Sequence, residues 1–206
     1  MTTAPFRPWL PYVLPMAIYM AFLFVQSNDN LLWLYPVKTL AVAGALWWFR
    51  KSYDELHPGM SWLGIGVGLV AIAIWIVIDP LYPKLSQSTP FDPSDRHVFI
   101  GFRIIGAVLV VPLMEELFWR AFLIRWLVKE DFKSVPVGTF TWRSFLVTVA
   151  LFGAEHNQWL AGLICGALYN WLLYRTRSVW ACIVAHAVSN AALAAWVLAR
   201  GDWKFW

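Results

Sequence analysis

Seven apolar runs, each near the length of a bilayer crossing, divide this chain and leave it few ways to fold. A membrane span needs about 20 predominantly apolar residues, with a range of about 17–25. The runs cover residues 9–25, 31–49, 61–79, 97–128, 143–156, 159–175 and 179–199. The fourth is too long for one straight crossing, and Pro112 divides it into one kinked helix or two. The spacing predicts an all-α, polytopic membrane protein with seven to eight transmembrane helices around an intramembrane cavity. The first run lacks a small-residue cleavage site and reads as a retained helix rather than a signal peptide. The length, 206 residues, suits one domain over 1–206.

Composition agrees. Sixty per cent of the residues are hydrophobic and 14% charged, against about 45–50% and about 25% in soluble domains. The net charge of +4 is no nucleic-acid signal, because the basic residues are scattered between apolar runs. With the N-terminus inside, Arg7, Arg50, Lys51, Arg125, Lys129, Lys133, Arg143, Arg175 and Arg177 face the cytoplasm. Lys84, Arg96, Arg200 and Lys204 face out, so the positive-inside rule favours this orientation. Cys165 and Cys182 have no zinc-site spacing and read as small core residues. The G-x-x-x-G pairs Gly64/Gly68 and Gly162/Gly166 read as close packing within the chain rather than a dimer face.

Ionisable groups inside these runs single out a site. Glu115, Glu116 and Arg120 interrupt the run IIGAVLVVPLMEELFWRAFLIRWLV at 104–128. A carboxylate at mid-bilayer costs about 3 kcal/mol on insertion scales, so such residues mark function by default. Glu116 and Arg120 are four apart and can pair within one helix. Glu115 points about 100° away from them. It is the free carboxylate suited to general-base chemistry, and Glu116 and Arg120 are its structural support.

His186 and Asn190, also four apart, present a ring nitrogen and a carboxamide to one cavity, and such donors can stabilise an oxyanion. Phe152 and His156 repeat the spacing, with the phenyl ring packing below the imidazole. At about 1.5 Å per residue, His156 lies roughly 20 Å, Glu115 roughly 18 Å and His186 roughly 10 Å from the cytoplasmic ends of their segments. Those depths are compatible with one cavity. Glu155 is either a partner of this site or an interfacial residue at a helix end.

The order E-E-x-x-x-R, F-x-x-x-H, H-x-x-x-N, here Glu115-Glu116 to Arg120, Phe152 to His156 and His186 to Asn190, resembles the CAAX-protease and bacteriocin-processing family of intramembrane endopeptidases. The motifs span 115–190, within a core of about 97–199, and the first 95 residues carry none. The resemblance implies a helical bundle that cleaves peptide bonds near the membrane. Glu115 and His156 would activate water, His186 and Asn190 would hold the oxyanion, and Arg120 would hold Glu116. No cofactor is expected. There is no H-E-x-x-H, and one carboxylate with two histidines would serve zinc only if geometry allowed.

The short, Trp-rich form is similar to prenyl-protease-related proteins of bacteria with exosortase sorting systems. That likeness implies a membrane-associated protein or peptide substrate, a link to exosortase sorting, and residence in a bacterial inner membrane. Two other classes fit the same residues: a catalytically silent peptide-binding or bacteriocin-immunity protein, and a transporter with a proton relay through Glu115 and the histidines.

Overall fold

A computed structural model describes residues 7–86 and 90–206. Among these there are seven helices: α1 (Leu10–Val25), α2 (Leu31–Trp48), α3 (Trp62–Ile78), α4 (His97–Trp126), α5 (Trp142–Ala154), α6 (Trp159–Thr176) and α7 (Val179–Arg200). No strand is present among the described residues. By length and apolarity α2, α3, α4 and α7 can each cross a membrane, and large apolar side chains such as Phe24, Trp48, Trp62 and Val98 face outwards. The chain is a polytopic, all-helical membrane protein.

Local chemistry sets the helix ends. Ser61, Thr141 and Ser178 cap α3, α5 and α7, each hydroxyl accepting from the backbone N–H three residues on. Arg177 and Gly201 end α6 and α7 in left-handed conformation, and at φ 64° glycine carries no steric penalty.

The long fourth segment is one helix. Pro112 has no N–H to donate and crowds the carbonyl of Val108. The backbone accommodates it by widening into a π-helical stretch over Gly106–Val110. A second such stretch spans Leu117–Leu123, around Arg120.

The fifth helix falls short of its apolar run, 143–156. α5 stops at Ala154, and 155–158 form an irregular turn. Thirteen residues reach only about 20 Å, less than the hydrocarbon thickness of about 30 Å. The turn is held by the segment after α3. Asn157 accepts from the Leu85 N–H through its carbonyl (3.2 Å) and from the Ser86 N–H through its side chain (2.8 Å). The Trp159 indole donates to the Pro83 carbonyl at 3.0 Å.

Both G-x-x-x-G pairs bring helices together within the chain. A Cβ on Gly64 would lie 2.7 Å from the Ala181 carbonyl, and one on Gly68 would strike that of Ala185, so α3 packs directly on α7. A Cβ on Gly166 would meet the Phe152 ring at 3.3 Å, which sets α6 against α5. At the end of the bundle where α1 begins, Glu55 pairs with Arg125 and accepts from the Tyr12 hydroxyl at 2.7 Å. Arg125 is therefore a buried clamp, not a free interfacial cation. Asp79 binds Lys204 at 2.9 Å at the opposite end.

Candidate active site

A cavity of about 270 Å³ lies inside the bundle, and Glu115, His156, His186 and Asn190 all line it. All seven helices or their ends reach the wall: α4 carries Glu115, the turn after α5 carries His156, and α7 carries His186 and Asn190. Trp75, edge-on to His156 with ring centroids 5.4 Å apart, brings α3 into it. The separate apolar runs thus deliver their polar residues to one place.

The Glu116–Arg120 pair forms as the spacing predicts, at 3.1 Å, with side chains 0% and 1% exposed. Arg120 also donates to the Asn170 side-chain oxygen at 3.3 Å and the Gly166 carbonyl at 3.5 Å. Its guanidinium carbon sits 4.5 Å from the Phe152 ring centroid. Asn170 in turn donates to Thr148 at 2.9 Å. Arg120 therefore ties α4, α5 and α6 together beneath the cavity.

Glu116 does more than hold Arg120. The same carboxylate oxygen accepts from His186 Nδ1 at 2.9 Å. This contact joins residues 70 apart in sequence, beyond the reach of helical spacing. The His186 ring also stacks on Tyr169 at 5.4 Å, whose hydroxyl pairs with Ser189 at 2.7 Å. The imidazole is thus fixed at one nitrogen and one face.

His156 is fixed differently. A carbonyl can only accept, so the 2.7 Å contact to Phe152 O makes Nδ1 the protonated nitrogen. In the neutral ring Nε2 then keeps its lone pair. Phe152 packs against the ring, centroids 4.8 Å apart. Asn190 spends one amide hydrogen on the Ala107 carbonyl at 2.7 Å, inside the first π-helical stretch, and keeps a second donor.

Glu155 resolves to the site. Its side chain lies beside that of Glu115, close enough for the two carboxyl groups to act on each other. The ionisable type in an apolar run signalled it, but its place at a helix end suited an interfacial residue equally well. Asn170 and Tyr169 carried a weaker signal, as polar groups in the middle of α6. Among the described residues no three His, Cys, Asp or Glu side chains gather closely enough to hold a metal ion.

Residues 98–192 match the model of a family described as Rce1-like, type II CAAX prenyl endopeptidase. No curated protein and no solved structure matches the chain. The matched segment runs from the start of α4 into α7 and contains every motif residue from Glu115 to Asn190. Over this segment, a little under half of its length, the membrane protein is similar to the type II CAAX prenyl endopeptidases.

Proposed function

We propose that this protein hydrolyses a peptide bond in a membrane-associated protein or peptide, using Glu115 as the general base and no bound metal. The observation that carries the proposal is the common cavity of Glu115, His156, His186 and Asn190. Water held by Glu115 and His156 Nε2 attacks the peptide carbonyl. Glu115 takes the water's proton, and a carbon–oxygen bond forms as the carbonyl becomes an oxyanion. His186 Nε2–H and the second amide hydrogen of Asn190 stabilise that charge. Nδ1 of His186 rests on Glu116, which holds the ring in place. Collapse of the intermediate breaks the carbon–nitrogen bond, and Glu115 returns its proton to the departing amine.

The substrate's context extends the proposal. The basic residues Arg50, Lys51, Lys129, Lys133, Arg175 and Arg177 follow or precede the helices on the Arg7 side. Their distribution supports a cytoplasmic N-terminus. The short, Trp-rich form supports a bacterial inner membrane and a substrate linked to exosortase sorting.

The test is Glu115→Gln in purified protein. This change keeps the shape and removes the base, so turnover of a cleaved peptide falls to background while binding survives. A variant with full biological function would make the protein a silent partner instead. Dependence of function on a proton gradient would make it a transporter.

A further inference from the structure

Two cations share the cavity with the proposed catalytic residues and serve none of them. Lys38, on α2, is 2% exposed. Its ammonium donates to the Gln26 side chain at 2.8 Å and lies 4.6 Å from the Tyr19 ring centroid. Arg103, on α4, stands beside it: both cations lie 4.7 Å from the centroid of the same ring, Tyr35. Arg103 also approaches Trp206 at 5.7 Å. Aromatic faces ease the burial of a cation but do not neutralise it.

Among the described residues neither cation pairs with a carboxylate. The other buried cations do: Arg120 has Glu116 and Arg125 has Glu55. An ammonium carries three donors and a guanidinium five, so most remain unspent here. Asp79, which lines the neighbouring hollow, is already paired with Lys84 and Lys204. A buried ammonium beside a half-buried guanidinium, with no carboxylate partner for either, invites an anion to join them.

Position identifies the anion. Arg103 also lines a second hollow of about 550 Å³, which contains Lys84 and Ser86 and meets the first at Gln26, Arg103, Gln158 and Trp206. The cations thus stand at the neck between the inner cavity and the far-end hollow. On α4, twelve residues separate Arg103 from Glu115, a rise of about 18 Å. An extended peptide covers that in about five residues.

We propose that Lys38 and Arg103 bind a carboxylate of the substrate peptide about five residues from the scissile bond, fixing where the chain is cut. The inference rests on the protease reading above. The carboxylate has two sources, the peptide's C-terminus or an Asp or Glu side chain.

The test uses the full chain in nanodiscs of neutral lipid and a set of apolar dodecapeptides. One peptide ends in a free acid and one in a carboxamide. The rest are carboxamides with a single Glu moved along the sequence. Binding is measured on the Glu115→Gln variant, and cut sites are mapped by mass spectrometry on the unmodified protein. The expected result is that a carboxylate tightens binding by about 10- to 100-fold, the range for a hydrogen bond to a charged group. The cut should fall about five residues from it.

Preference for the free acid identifies the C-terminus, and preference for one Glu position identifies a side chain. Lys38→Met and the more exposed Arg103→Gln should each collapse the ratio of acid to amide binding towards one. Equal binding of all peptides overturns the proposal while leaving proteolysis intact. Discrimination in binding with no cleavage anywhere leaves the anion site standing and sinks the protease reading. Loss of discrimination when phosphatidylglycerol replaces the neutral lipid would reassign the cations to a lipid headgroup.

Discussion

Arg120→Ala should unfold this protein more readily than it disables the chemistry. Arg120 and Glu116 are 1% and 0% exposed and 3.1 Å apart, and the guanidinium also holds Asn170 and Gly166. Removing one partner of a buried pair typically costs about 3–5 kcal/mol, because the other charge is left uncompensated. At about 2–4 °C per kcal/mol for a chain of this size, Tm in detergent should fall by roughly 6–20 °C. The companion variant, Glu116→Gln with Arg120→Met, removes both charges. Replacing a whole buried pair is often neutral, so Tm should recover most of the loss, a coupling that a double-mutant cycle measures. The glutamine at 116 would still offer an oxygen to His186 but no charge. Turnover should therefore stay low in the double variant even where stability returns. A Tm equal to that of the parent in Arg120→Ala, together with complete loss of turnover, would refute this reasoning and make Arg120 a catalytic residue.

Three further outcomes test the site. Asn190→Ala removes one oxyanion donor and should lower kcat by about 10²–10³, by comparison with a soluble protease, with KM little changed. Glu155→Gln keeps the shape beside Glu115 but removes the second carboxyl group, so the acid limb of the pH–rate profile should move while Tm stays; an unmoved profile would reduce Glu155 to packing. Overnight dialysis against a chelator should leave turnover intact, and loss restored specifically by zinc would turn Glu115 and the histidines into metal ligands.

Much of this arrangement was legible in the residues because it is local. The spans follow from unbroken apolar runs, and the Glu116–Arg120 pair follows from a spacing of four on one helix. The common cavity of Glu115, His156, His186 and Asn190 was anticipated from depth and helix face, although the turn bearing His156 is not helical. What stayed hidden is long-range. Nothing near Glu116 in sequence announces His186, and nothing near Asn157 announces Ser86. Pro112 marked a disturbance, but whether the helix breaks or widens depends on how Asn190, on another helix, meets the Ala107 carbonyl. Lys38 and Arg103 looked unremarkable apart, since only the fold sets them at one ring.

The turn at 155–158 is strapped by residues 82–86, and those residues lie outside the segment that carries the family's match. Lys38 and Trp75 lie outside it as well. The proposed reacting groups thus come from one stretch of chain, while part of what steadies His156 and shapes the approach to it comes from another. Substitutions in the first three helices and the strap can change which chains are admitted, and how firmly the histidine is seated, without touching a motif residue. A hybrid that joins this α4–α7 core to the leading helices of a relative would keep every proposed reacting group and still admit different chains.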